Sequence, residues 1–393
     1  VKVRDPFVGY HGDVHREQAN TTFKPDQGEY MIKHKKLAAA SLAGVLVLAA
    51  CGSDDDAETT TTEAAGDETA TTDGETATTD GGEAAATDVT VGIAFDTGGR
   101  GDGTFNDSAG RGADLAAEEL GVGLEELEAA TADDRAPNLE TLTGAGASPI
   151  VAIGFAFSDA LAEIAPANPD TQYATVDGFV ADAPENLTII GFAEEQGSFL
   201  VGAAAALACD CDQLGFIGGQ EIDLIKKFEA GYVAGAQAIN PDVTVEVQYL
   251  GAAGDNNAWA APDKAKEIAN AWYADGVEVI YSAAGGSGQG TIEAAVESDA
   301  WAIGVDSDQY LTATPEQQEH ILTSMLKRVD VAVYETAKAA VDGTLEGGFA
   351  TYDLSTDGVG YSVEGGYLDA YIDQLEELKQ QIIDGTITVP TAP

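Results

Sequence analysis

From residue 89 onward, short apolar runs alternate with longer stretches whose small, apolar and acidic residues recur at helical spacing. The runs 89–95, 150–154, 172–176, 188–192, 214–218, 243–249, 277–282 and 301–305 read as strands. Most are unbroken, the mark of a strand covered on both faces. Helical patterns lie near 107–120, 136–146, 158–165, 194–208, 223–239, 262–274, 288–299, 325–342 and 368–384, and a short further strand is expected within 123–131. Such alternation predicts parallel sheets with helices on both faces. The pattern restarts after Gly191, and the chain from 89 on is longer than one such sheet needs. Two α/β lobes are therefore predicted. One takes 89–191 plus about 322–345, the other 192–321 plus about 346–393. A cleft between two similar lobes is a natural ligand trap.

The first 88 residues follow a different logic. Residues 1–30 are polar and irregular and precede Met31, as an extension from a misplaced translation start does. Residues 31–50 read as a signal peptide, a basic segment followed by the apolar stretch Leu37–Ala50. That stretch is shorter than the roughly 20 residues of a membrane span. It ends in Leu48-Ala49-Ala50-Cys51, which resembles a bacterial lipobox and implies a lipid on Cys51. The expected location is the extracytoplasmic face of the cell membrane, with the membrane touched through that lipid alone. Residues 51–88 hold 12 acids, no Lys or Arg and no apolar periodicity, so they read as a self-repelling tether behind the lipidated cysteine.

Charge narrows the partners. The net charge is −50, and residues 89–393 carry 51 acids against 11 Lys and Arg. This argues against nucleic acid and polyanionic ligands. The scarcity of Lys with abundant Asp, Glu, Ala and Thr also resembles salt-adapted proteins. Cys209 and Cys211 flank Asp210, and residue types alone leave open a tight disulfide or two free thiols. No metal site or cofactor is expected, because no other Cys and a single His, His320, follow Cys51.

Six places combine chemistry with a strand or helix end. They are Asp96 to Asp107, with Phe105 and Asn106; Gly154-Phe-Ala-Phe-Ser-Asp159; Ile225-Lys-Lys-Phe228; Ser282 to Gly290; Gly304-Val-Asp-Ser-Asp308; and Ser324-Met-Leu-Lys-Arg328. Each has a plain structural reading. An acid after a strand is often a helix cap. Phe228 is four residues from Tyr232 and fits a helix core. Lys327 has many acids to pair with. The glycines at 285, 286, 288 and 290 match neither G-x-G-x-x-G nor a P-loop. There is no H-E-x-x-H and no G-x-S-x-G, so an enzyme is not expected.

Taken in order, Asp96 to Asp107, Glu194-Glu-Gln-Gly-Ser-Phe-Leu-Val-Gly202, Ile225-Lys-Lys-Phe-Glu-Ala-Gly231, Ala283-Ala-Gly-Gly286, Gly304-Val-Asp-Ser-Asp-Gln309 and Ser324-Met-Leu-Lys-Arg-Val-Asp330 resemble the basic membrane protein family over roughly residues 89–345. Its members are lipid-anchored substrate-binding proteins of ABC importers, similar to purine-nucleoside receptors. The resemblance implies a type I periplasmic-binding-protein fold, with two Rossmann-like lobes joined by a hinge. It implies a nucleoside ligand, an ABC permease and ATPase as partners, and action as a monomer by hinge closure. Carried over, Phe105 and Phe228 sandwich the base, and Asn106 and Asp159 read its polar edge. Asp306 accepts from the ribose hydroxyls, Lys327 adds a donor, Gly285 and Gly286 let backbone approach the sugar, and Asp96 orients the ligand. The chain departs from the family at Arg100 and Gly101, at Tyr232 and after residue 346. The residues also leave open another small polar solute, such as a sugar or signal molecule, and a nucleoside hydrolase using paired carboxylates.

Overall fold

The computed structural model describes residues 87–209 and 211–393. The expected extension, signal peptide, lipidated Cys51 and nearly all of the tether lie outside them. The first strand, β1 (Thr90–Phe95), is buried from Val91 on and sits inside a sheet covered on both faces, as its unbroken apolar run requires. It leads through α1 (Phe105–Leu120), β2 (Gly123–Glu128), α2 (Arg135–Ala145), β3 (Ile150–Ile153), α3 (Ser158–Ala167) and β4 (Tyr173–Val176) to β5 (Leu187–Phe192). The second lobe runs α4 (Glu194–Cys209), β6 (Gln213–Glu221), α5 (Asp223–Ile239), β7 (Thr244–Ala252), α6 (Pro262–Ala274), β8 (Val279–Ala283), α7 (Gly288–Ser298), β9 (Trp301–Asp306), α8 (Pro315–Gln318) and β10 (Ile321–Lys327). Four elements close the chain: α9 (Val329–Val341), β11 (Gly348–Tyr352), β12 (Val359–Tyr361) and α10 (Ile372–Ile383).

The first sheet has the order β11-β5-β4-β3-β1-β2 and the second β12-β10-β9-β8-β6-β7. All pairs are parallel except β10 with β12. The chain changes lobes after β5, after β10 and after β11. The second and third changes differ from the expected boundaries. Residues 321–327 form a strand of the second lobe rather than the start of a helix at 325, and 348–352 join the first sheet rather than the second lobe. The sequence of β10 hides it, because Thr323, Ser324 and Lys327 are buried polar residues in a strand. Cys209 and Cys211 are joined by a disulfide. Among the described residues no helix is long and apolar enough to cross a membrane.

Glycine sets the closest helix contact. A Cβ at Gly231 or Gly235 of α5 would overlap the carbonyl oxygens of Glu195 and Phe199 on α4, so these helices touch backbone to backbone. Gly144, in α2, has open space where its side chain would stand. Two chemically identical substitutions are thus expected to differ in sign. Gly144→Ala should stabilise by up to about 1 kcal/mol through helix propensity. Gly235→Ala should destabilise by about 1–3 kcal/mol, since overpacking outweighs the same gain. Urea melts of both variants check this, and equal shifts would remove the packing argument.

Candidate functional site

Parallel strands point their carboxyl ends the same way, and the loops beyond them form the ligand crevice of α/β folds. Here two such edges meet. From the first lobe, β1 delivers Asp96, Thr97 and Gly98; β3 delivers Gly154 and Phe155; β4 delivers Asp177; and the start of α1 delivers Phe105 and Asn106. From the second lobe, α5 brings Leu224, Ile225 and Phe228, the turn after β7 brings Trp259, and β8, β9 and β10 end in Ala283, Asp306 and Lys327. Gly285 and Gly286 follow β8. The cleft has an empty volume of about 730 Å³, counting the open solvent at its mouth.

The lobes meet around it. Ser307 Oγ donates to the Thr104 carbonyl oxygen at 2.7 Å and accepts from Arg111 Nη2 at 2.9 Å. Phe155 and Trp259 lie edge to face across the gap, with centroids 6.4 Å apart. A Cβ on Gly286 would stand a tight 3.3 Å from the Trp259 carbonyl oxygen of its own lobe and an ordinary 3.7 Å from that of Asp102 across the cleft.

The loop from Asp96 to Asp107 is held from both sides. Asp107 accepts from the Gly101 and Gly103 amides, and Asp102 accepts from the amides of Thr104, Asn106 and Asp107. Asp102 thereby caps α1, where the positive end of the helix dipole favours an anion. Arg100 turns outward to Asp114 and Glu126, anchoring the loop to α1 and β2 rather than entering the cleft. Asp96 accepts from Arg135 Nε at 2.7 Å and from the Thr97 amide, also at 2.7 Å.

At the centre is a buried charge cluster. Lys327 is only 2 % exposed, and its Nζ lies 2.6 Å from Asp177 Oδ2 and 3.1 Å from Glu194 Oε1. The same ammonium lies 5.3, 5.0 and 5.6 Å from the ring centroids of Phe105, Phe192 and Phe228. Burial opposes its charge, but the fields of Asp177, Glu194 and Asp306 outweigh it and hold the lysine protonated. Burial raises the Asp177 carboxyl above the usual range, with Lys327 pulling the other way. Burial likewise pushes Asp306 up to about 7, despite Lys327, with Asp177, Asp102 and Glu194 adding to the rise. Asp306 takes no hydrogen bond from any described residue, and its backbone is left-handed at φ 64°. A buried, unpaired carboxylate on a strained backbone is a group kept for something absent from the fold itself.

Eight of the nine residues expected at the ligand come together here: Asp96, Phe105, Asn106, Phe228, Gly285, Gly286, Asp306 and Lys327. Asp159 does not. It is exposed in the first turn of α3 and outside the cleft lining, where its acid complements the helix dipole. Tyr232 is fully buried against Phe216 and Tyr281, away from the cleft lining. Lys226 pairs with Glu221, and Lys227 reaches Glu194 and the Phe192 carbonyl at the first lobe crossing. Asp102 and Phe155, which fall inside two of the six segments without an expected role of their own, and Asp177 and Trp259, which fall outside all six, also line the cleft. Among the described residues no group of three or more His, Cys, Asp or Glu is placed to hold a metal ion.

Comparison with known proteins agrees with this geometry. The chain is 37% identical over 328 residues to a CD4+ T-cell-stimulating antigen of Listeria monocytogenes, covering 79% of this chain and 90% of the relative. It is 34% identical over 373 residues to the ABC transporter nucleoside-binding protein BmpA of Lactococcus lactis, covering 90% of this chain and 98% of that one. A crystal structure of an ABC transporter solute-binding protein from Aeropyrum pernix superposes with a TM-score of 0.68 at 30% identity, covering 77% of this chain and 93% of that one. The myo-inositol-binding protein of Caulobacter shares the fold at a TM-score of 0.55 and 14% identity, covering 75% of this chain and 99% of its own. Such proteins bind a small molecule for a transporter and are not enzymes. Residues 89–392 match the family described as ABC transporter substrate-binding protein PnrA-like, and the chain belongs to that family.

Proposed function

We infer that this protein is a lipid-anchored receptor outside the cell membrane that captures a nucleoside, foremost a purine nucleoside, and passes it to an ABC permease and ATPase by hinge closure. The observation that carries the reading is the pairing of two aromatic rings, Phe105 and Phe228, from opposite lobes with the unpaired Asp306 carboxylate in one cleft. The rings supply flat apolar faces for a base. Asp306 supplies acceptors for the two ribose hydroxyls. The acids around it favour a neutral nucleoside over a nucleotide, whose phosphate they repel. The Lactococcus relative is named as nucleoside-binding, and a Pyrococcus abyssi relative, 34% identical over 290 residues and matched over 69% of its length, is named as a lipoprotein. These names support the ligand class and the anchor at Cys51. The tether then lets the domain search the membrane surface for its transporter, as a monomer.

Calorimetric titration of the purified protein with purine and pyrimidine nucleosides, free bases, ribose and sugars tests the reading. One-to-one binding of a nucleoside is expected, with the 5′-monophosphate at least tenfold weaker. Phe228→Ala should weaken nucleoside binding by about 5- to 150-fold, the worth of roughly 1–3 kcal/mol of base stacking. Binding of a sugar with no response to nucleosides would replace this ligand class by the other.

A further inference from the structure

Within the cleft one polar group has its direction fixed by a neighbour. The Asp102 carboxylate accepts from three backbone amides, those of Thr104 (2.9 Å), Asn106 (2.9 Å) and Asp107 (3.1 Å). Backbone N–H groups only donate, so this carboxylate faces its surroundings with lone pairs. The Asn106 side chain meets it at 3.0 Å through Nδ2. The reverse orientation would set the amide oxygen against a carboxylate oxygen, so the amide cannot turn over without losing this bond. The remaining Asn106 oxygen, Oδ1, is buried without a hydrogen-bond partner in a residue that lines the cleft. A buried acceptor left empty costs free energy until a ligand donor fills it.

We propose that Asp102 is a positioning residue that locks Asn106 as an acceptor toward the base, so that the cleft selects bases carrying a ring N–H at that edge. This rests on the nucleoside reading above. The other side-chain acceptors of the lining point the same way: Asp96 and Asp306 are carboxylates, and the Asp177 Oδ1 is buried without a partner. The lining's ammonium, Lys327, is already held by Asp177 and Glu194. A 6-oxopurine offers N1–H to such an acceptor. Adenine presents a bare N1 lone pair at the same position, and two lone pairs repel.

The test compares inosine, 1-methylinosine and adenosine by calorimetry on the wild-type protein and on Asp102→Asn. The wild type should bind inosine at least tenfold more tightly than either of the others, because a site built to receive a hydrogen bond rejects ligands lacking it. Asp102→Asn offers Asn106 a donor only where its Nδ2 replaces Oδ2 and gives up the bond from the Asn106 amide, so it should weaken binding overall and bring inosine and adenosine within about threefold of each other. A purely structural role for Asp102 would instead weaken both equally and keep their ratio, which overturns the proposal. Equal wild-type affinity for inosine and 1-methylinosine overturns it without help from any variant. If no nucleoside binds to folded protein, the nucleoside reading falls and this inference with it, whereas equal binding of all three removes this inference alone.

Discussion

Lys327→Met is expected to destabilise the protein by about 3–5 kcal/mol at pH 8, the usual effect of removing one partner from a buried ionic group. Methionine keeps most of the aliphatic stem that packs among Phe105, Phe192 and Phe228, so lost volume is a small part of the effect. What is lost is the cation shared by Asp177 at 2.6 Å and Glu194 at 3.1 Å, whose field also restrains Asp306. Asp177 and Asp306 would then sit buried without their ammonium, while Glu194 keeps Lys227 at 3.0 Å. Since Lys327 lies on the second lobe and Asp177 on the first, the loss also weakens the contact between lobes. The deficit should shrink as pH falls, because without the lowering field of Lys327 the buried Asp306 takes up its proton at a higher pH than in the wild type and the surplus charge drops. Adding Asp177→Asn should restore part of the stability, because the two sites share one interaction. Urea melts of the single and double variants at pH 8 and pH 5.5 measure all of this. An unchanged melt for Lys327→Met at pH 8 would mean that the cluster is not compensated as described.

Asp306→Asn is expected to move stability and binding in opposite directions. Burial raises this carboxyl to about 7 from an ordinary 3.8, so the folded state holds its proton more readily than the unfolded chain does. A raised carboxyl therefore destabilises only where the unfolded chain has ionised. The penalty is absent below about pH 4, grows as pH rises towards 7, and is constant above. Asparagine removes it and tolerates the left-handed backbone. The ligand-free variant should thus be more stable than the wild type by roughly 1–3 kcal/mol at pH 8, with the difference vanishing toward pH 4. Nucleoside affinity should fall at least about 100-fold, since two hydrogen bonds to a charged acceptor are lost. In the wild type, affinity should rise with pH up to about 7 and then level off, because hydroxyl donors favour the ionised form. The same scan on Asp306→Asn should be flat. A variant both less stable and unchanged in affinity would make Asp306 a structural residue.

Much of this architecture is legible in the sequence, for reasons that differ by element. Strand β3 is an unbroken apolar run, and β1, β4 and β9 are apolar but for Thr90, Thr175 and the terminal Asp306, so burial on both faces is written in their composition. β10 is not, because Ser324 and Lys327 are polar for the sake of the cleft and its supporting loops, with Ser324 Oγ accepting from the Gln309 amide. Its place in the second lobe moves the lobe crossing to Arg328. β11 and β12 are short edge strands with alternating or half-exposed residues, and their partners are distant in sequence.

The acids teach a related lesson. Asp96, Asp177 and Asp306 each stand at the carboxyl end of a parallel strand, and all three line the cleft. Asp159 follows β3 only after a single 3-10 turn and falls in a helix, on the outside. An acid at the strand end itself lines the cleft in all three cases, while of the two further along Asp102 lines it and Asp159 does not. Asp177 meets that rule and was readable by it. Trp259 and Phe155 were not, because their contact across the mouth depends on how the lobes meet, and neither chain segment encodes the other.

The central claim is that one cleft holds base and ribose together, with Asp306 on the sugar. The most direct measurement is the affinity of the wild-type protein for inosine against 2′,3′-dideoxyinosine at pH 8. The two share the base and differ only in the hydroxyls that Asp306 is assigned to accept. At least a hundredfold preference for inosine, reduced to a few-fold in Asp306→Asn, is the expected result. Equal affinities in the wild type would place the ribose elsewhere and contradict the account.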